Sequence, residues 1–180
     1  MEDSEIQRLC RAIYSKHQKA LDLVFEHRPD RAASLAEALQ EILKRPGIVM
    51  DHSSKSYVRF IPALWDALPR NGEGWTPTKR LLLFEFDISK GALFLKLVLG
   101  PGEEKSRDEL HQVITGQPHV FNRASTRLYP KWWSCHIEKW LSAKQLEDSD
   151  VSELVVAITQ RFDEFVKDRL PTMEGAIPLH

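Results

Sequence analysis

Apolar positions along this chain change period twice, from helical spacing to alternation and back to helical spacing. Between residues 6 and 24, Ile6, Leu9, Cys10, Ile13, His17, Leu21 and Val24 recur at three- and four-residue steps. That spacing lines one face of a helix. Ser4 with Gln7 forms a capping-box pattern at its start, and Pro29 stands where it should end. Leu35, Leu39, Ile42 and Leu43 define a second helix, closed by the Arg-Pro-Gly at 45–47. Residues 1–47 are therefore expected to form a helical hairpin that buries one stripe from each helix.

The period then shortens. "IVMDH" and "SYVRFIP" predict short strands, and "PRNGEGWTP" predicts a polar, turn-rich loop. "RLLLFEFDI" and "ALFLKLVLG" flank "SKG", a hairpin signal. In the first, Leu82, Phe84, Phe86 and Ile88 share one face, while Leu81 and Leu83 share the other with Glu85 and Asp87. In the second, four leucines at 93, 95, 97 and 99 oppose Phe94, Lys96 and Val98. An antiparallel sheet with one face fully covered and the other partly covered satisfies this pattern.

Helical spacing returns near the C-terminus. Val151, Leu154, Val155, Ile158, Phe162, Phe165, Val166 and Leu170 form a continuous stripe of the kind that covers a sheet. Pro171 is expected to close that helix and to leave a frayed tail. The expected fold is α+β in a single domain. Residues 1–47 form the hairpin, 48–145 an antiparallel sheet of about four to six strands with one helix, 146–171 the long C-terminal helix, and 172–180 the tail. The strand hairpin at 81–99 belongs near the centre of the sheet. The C-terminal helix and the helix after Ser106 should share one face, with the N-terminal hairpin at an edge or on the other face.

Composition narrows the setting. In 180 residues, 25 Lys+Arg against 26 Asp+Glu leave a net charge of -1, so nothing global draws the chain to nucleic acid or membrane. Cys10 and Cys135 fit a reducing compartment, the first ten residues are unlike a signal peptide, and no apolar run reaches membrane-span length. A cytoplasmic protein without a membrane partner is expected.

One stretch, "KLVLGPGEEKSRDELHQVI" (96–114), suggests a phosphate cradle: a strand runs into glycines, a lysine and a serine, then an apparent helix. Such a cradle needs glycine immediately before its lysine. Here Glu103 and Glu104 precede Lys105, and two carboxylates repel a phosphate. Ser106 with Glu109 instead reads as a capping box opening a helix that ends near Gly116, and Gly100 and Gly102 as the backbone freedom of the corner. The same stretch holds an acid-x-Lys triplet, Glu103-Glu104-Lys105, as used by metal-dependent nucleases together with an upstream Asp. Asp87 is the obvious partner. It lies beside the hairpin turn, and the returning strand places Glu103 roughly 30 Å away at ~3.3 Å per residue, too far to share a metal ion.

Other catalytic patterns are incomplete. The seven histidines offer no zinc-helix pair, and His136 with Glu138 would make only two ligands. Cys135 and His136 are adjacent, so strict alternation turns them to opposite faces, and Cys135 reads as a buried structural residue. The richest binding signal is "HVFNRASTRLYPKWWSCHIEKW" (119–140). Arg123, Arg127, Lys131 and Lys139 stand against one acid, Glu138, and are interleaved with Phe121, Tyr129, Trp132, Trp133 and Trp140. Two readings stay open. One is phosphate contact with base stacking; the other is a loop feeding a buried strand. A second basic stretch, "HSSKSYVRF", adds Lys55 and Arg59 as candidates, with a plain turn before a strand as the alternative.

The runs "AIYSKHQKALDLVFEHRPD", "DHSSKSYVRFIP", "GWTPTKRLLLFEFDI" and "LKLVLGPGEEKSR" resemble the region C-terminal to the nuclease core in a family of bacterial PD-(D/E)XK nuclease-like proteins. The resemblance runs from about Ala12 through the last helix. It implies a non-catalytic accessory domain that binds nucleic acid or regulates a nuclease or phage-defence partner. The nuclease core of that family would lie upstream of Met1, so no catalytic residue carries over and no metal or other cofactor is expected. The chain would then be an excised C-terminal domain or a short protein descended from one. Two other classes remain alongside: a protein-interaction module, homo-oligomeric where its partner is itself, and a small-molecule sensor.

Overall fold

In the computed structural model, residues 3–26, 30–89 and 91–179 are described, the side chains at 3, 4, 25 and 26 excepted. The chain separates into two compact units, 1–30 and 31–180.

The first unit carries α1, Asp3–Glu26, with a non-helical residue, His17, inside it. The helix is already under way at Asp3. The Ser4 side chain of the expected capping box and the stop at Pro29 both lie outside the described residues. The stripe expected to be buried is not: Ile6, Leu9, Ile13 and Val24 are exposed.

The second unit begins with α2, Arg31–Leu43, whose Leu35, Leu39, Ile42 and Leu43 are buried as the spacing predicts. Gly47, with φ +84°, turns the chain into the sheet. Five strands follow: β1 Ile48–Met50, β2 Tyr57–Pro62, β3 Leu82–Asp87, β4 Leu93–Leu99 and β5 Trp133–Leu141. They form an antiparallel meander in the order β1-β2-β3-β4-β5. The β3–β4 hairpin turns through Gly91, φ +66°. Lys90 of the expected Ser-Lys-Gly turn lies outside the described residues.

Alternation sends Phe60, Phe84, Phe86, Leu95 and Leu97 to one face, where they are fully buried. Helix α5, Val151–Glu164, lies against that face. Phe162 meets Phe60 edge-on at 5.6 Å, and Phe165 meets Phe84 at 5.5 Å. Helix α3, Glu104–Thr115, reaches Trp133 through His111, the ring centres 4.6 Å apart. A short helix α4, Ala143–Asp148, precedes α5, and each opens with a full capping box, at Ser142 and Asp150. The opposite face of the sheet holds Tyr57, Arg59, Glu85, Asp87, Lys96 and Ser134.

Three expectations are corrected. Ser106 does not cap α3; the helix begins two residues earlier, at Glu104, and the Ser106 hydroxyl donates to Glu103 Oε2 at 2.6 Å. Gly100 and Gly102 do not sit in the left-handed region; they are glycines because neighbours crowd their Cα atoms. Pro171 does not end the last helix. A π-helical turn, Phe165–Arg169, widens the backbone just before it, and α6 continues as Leu170–Ala176. Proline's missing N–H is tolerated at the first turn of a helical segment. The segment expected to fray instead buries Met173 and Ile177.

Candidate functional site

The loop from 117 to 132 connects α3 to β5, and it is locked in place from beneath. Arg107, buried on α3, donates from Nη2 to the Tyr129 carbonyl at 2.6 Å and from Nη1 to the Pro130 carbonyl. Asn122 pairs with β5 in both directions: Nδ2 to the Ile137 carbonyl at 2.8 Å, and the Ile137 N–H to Oδ1 at 3.0 Å. The Trp133 indole N–H donates to Thr126 Oγ1 at 2.8 Å. A buried guanidinium serving only carbonyls is costly to desolvate, and that burial holds the Arg107 pKa below its ordinary value.

This framework divides the aromatic residues of 119–140. Phe121, Trp133 and Trp140 belong to the core. Tyr129 and Trp132 are exposed, at 58% and 51%, and so are Arg123, Arg127 and Lys131. Lys131 Nζ lies 6.0 Å from the centre of the Trp132 ring. The stretch thus feeds a buried strand, as the second reading expects, and leaves two rings and three cations exposed on the way.

Trp132 is also one wall of a cleft of about 370 Å³ on the open face of the sheet. Tyr57 and Trp75 form other parts of its wall, with Ser134 on β5. The cleft contains two ion pairs. Arg59 Nε donates to Glu85 Oε2 at 2.8 Å, and Lys96 Nζ donates to Asp87 Oδ2. Arg59 is further held between rings, 5.2 Å from Tyr57 and 5.6 Å from Trp75. Burial pushes the Glu85 carboxyl up despite its arginine. Burial pushes Asp87 the same way, but hydrogen bonds from Lys96 and Ser89 outweigh it and hold Asp87 below the ordinary carboxylate range.

Of the six candidate cations and rings, Arg123, Arg127, Tyr129 and Lys131 stand on one loop, which ends at Trp132 in the cleft wall. Arg59 lies inside the cleft, its guanidinium committed to Glu85. Lys55 is exposed in the β1–β2 turn, two residues before Tyr57, which pairs with Asp87. Glu85 and Lys96 carry a signal in the sequence, the mixed face of the hairpin with acids at 85 and 87 facing a lysine at 96; Trp75, in the loop before the hairpin, carries none.

Trp75 is placed by the glycine-rich corner. A Cβ at Gly100 would stand 1.9 Å from Trp75 Cε3, so only glycine admits the indole there. The loop carrying Trp75 is fastened by buried Arg80, which bridges Asp51 at 2.6 Å and Asp66 at 2.5 Å. The acid-x-Lys triplet is structural as well. Glu103 Oε2 accepts from Asn71 and from Ser106, each at 2.6 Å, while Asp87 is bound to Lys96.

On β5 the register shifts between Leu97 and Val98, which pair with His136 and Ser134, so strict alternation fails at Cys135. Both Cys135 and His136 are buried. Burial pushes the Cys135 thiol pKa up, and its sulfur donates to the Leu97 carbonyl at 3.4 Å. His136 Nδ1 accepts from the Asn122 N–H, which leaves Nε2–H to donate to Glu138 at 2.9 Å. Glu138 also pairs with Arg169 at 2.9 Å. A second cavity, about 530 Å³, lies along α3 between Leu68, Leu81, Leu110 and Val113. Among the described residues no group of three or more His, Cys, Asp or Glu could hold a metal ion, and no helix is long and apolar enough to cross a membrane.

No family model, no curated protein and no solved structure matches this chain.

Proposed function

We propose that this chain is a non-catalytic nucleic-acid-binding domain that recognises single strands through the loop 117–132, acting as an accessory to a nuclease or phage-defence partner. The observation that carries this is the locked loop. Exposing Tyr129 and Trp132 together with Arg127 and Lys131, on backbone already fixed by Arg107 and Asn122, supplies stacking faces and phosphate contacts without a further ordering cost. The sequence resemblance to the region following a nuclease core supports the accessory role. Pairing of Asp87 with Lys96 and of Glu85 with Arg59 supports a role without metal chemistry.

Fluorescence titration with single- and double-stranded DNA and RNA at low salt tests it. Binding should be tightest on single strands and should weaken steeply with salt, because bound phosphates release counterions. Arg123→Ala, Arg127→Ala and Lys131→Ala should each weaken binding alike for unrelated sequences and lower the salt slope by about one. Tyr129→Ala should cost ~1–3 kcal/mol on single strands. No binding at protein concentrations on the order of tens of micromolar, where even non-specific complexes form, overturns the proposal. No cleavage is expected with Mg²⁺ or Mn²⁺. Metal-dependent cleavage lost in Asp87→Asn or Glu103→Ala would refute the non-catalytic role.

A second reading is favoured by α1. Its exposed Ile6, Leu9, Ile13 and Val24 suit a protein-interaction or self-association helix. Sedimentation at rising salt separates the two, since apolar association does not weaken with salt.

A further inference from the structure

We infer that the cleft on the open face of the sheet is a pocket for a nucleobase, with Trp132 as its stacking wall. Charge decides the ligand class. Arg59 and Lys96 are matched inside the cleft by Glu85 and Asp87, so the interior carries two positive and two negative groups in contact pairs. An incoming anion meets two buried carboxylates, and an incoming cation meets two committed cations. A neutral ring with hydrogen-bonding edges meets neither penalty, and it can donate to carboxylate oxygens and accept from the ammonium and guanidinium groups. Size agrees: about 370 Å³ lies at the lower end of small-molecule sites, the range of one base rather than an extended ligand.

The aromatic residues are unequal. Tyr57 and Trp75 already flank the Arg59 guanidinium, which occupies their neighbourhood at 5.2 and 5.6 Å. Trp132 is half exposed at the mouth and keeps a face for a ligand. No hydrogen bond among the described residues engages the Ser134 hydroxyl beside it. Trp132 also ends the basic loop, so a base stacked on it places its sugar and phosphate toward Lys131 at the rim. The pocket deepens the strand-binding proposal and rests on it for the source of the base. A free nucleoside offers the same chemistry.

Saturation-transfer NMR with adenosine, guanosine, cytidine and uridine, none of which carries a phosphate, tests the pocket directly. Ribose serves as the control. Nucleosides should show contact through their base protons and ribose none, and inorganic phosphate added as a competitor, having no observable proton of its own, should not displace them. Trp132→Ala should weaken nucleoside binding about tenfold, and Trp132→Phe should restore most of it. An unchanged thermal melt in both variants assigns the loss to the pocket. In parallel, an oligonucleotide with abasic positions should bind more weakly than its intact counterpart in the wild-type chain, and the gap should narrow in Trp132→Ala, where only Tyr129 is left to stack. Nucleosides without signal, binding indifferent to Trp132, or abasic and intact strands bound alike would overturn the pocket while leaving strand binding standing. Nucleoside binding without any strand binding would keep the pocket and overturn the strand as its source.

Discussion

At Gly100 one hydrogen atom decides how a wall of the cleft stands. The Trp75 indole lies so close that a methyl group would overlap Cε3 at 1.9 Å and Cζ3 at 2.4 Å. Gly100→Ala should therefore move the ring or the strand end, at a cost of about 1–3 kcal/mol in urea denaturation. Tryptophan emission shifted to the red should accompany it; unchanged stability and emission would show that the corner yields freely. Residue chemistry also sets the acid limit. Hydrogen bonds from Thr78 and Arg80 outweigh burial at Asp51 and hold its pKa below the ordinary value. A depressed folded pKa gives stability that is full above the unfolded value near ~3.9 and is lost as pH falls through the folded one. Glu85 has the opposite sign: its raised pKa gives stability below the unfolded value near ~4.3 that is lost as pH rises through the folded one. Urea midpoints from pH 7 to 3 should fall toward acid in the wild type. They should fall less in Asp51→Asn, which starts lower because Arg80 loses a buried partner. A parallel fall in both would remove Asp51 from the account. The glycines were legible as a corner, but their reason was not, because Trp75 lies 25 positions away and nothing local signals that contact.

Among the elements, those with an unbroken period were legible and those with an interruption were not. Alternation through 82–88 and 93–99 marked β3 and β4 and their covered face, and the stripe from Val151 to Leu170 marked the helix that covers it. β5 was readable only in part. Its bulge at Cys135 breaks the two-residue period, so the face of each side chain could not be counted from its neighbour. Pro171 misled for the complementary reason. Proline stops a helix when an interior N–H is required, but the π-helical turn at Phe165–Arg169 restarts the segment ahead of it. The structural consequence is that Met173 and Ile177, beyond Pro171, contribute to the core. Met173→Ala should cost about 2–4 kcal/mol, since its side chain is 1% exposed. Truncation after Leu170 should cost at least as much by thermal melting. A truncated chain as stable as the whole would return 172–180 to the role of a tail. Removal of everything from Val151 onward should abolish a cooperative melt, because Phe162 and Phe165 fill the space above the sheet.

For the molecule as a whole, the candidate surface depended on sorting one basic, aromatic stretch into inside and outside. Spacing could not do this, since Trp132 and Trp133 are neighbours with opposite fates set by where β5 begins. Near-neutral overall charge also hides the local basic character of the loop, which matters only at contact range at physiological salt. Among the described residues, the buried hydrophobic core runs from Leu35 to Ile177. Helix α1 has the length and periodicity of a buried element while its Ile6, Leu9, Ile13, Leu23 and Val24 are exposed. If the core is complete without it, a chain beginning at Arg31 should fold cooperatively with a melting temperature within about 4 °C of the full chain, the shift expected for less than ~1 kcal/mol at this size. The shortened chain should also keep its strand affinity and salt slope, because the loop 117–132 and the cleft lie wholly in residues 57–134. A much lower melting temperature would mean that the stripe of α1 supports the core after all. A preserved melt with lost strand affinity would instead make α1 part of the binding surface.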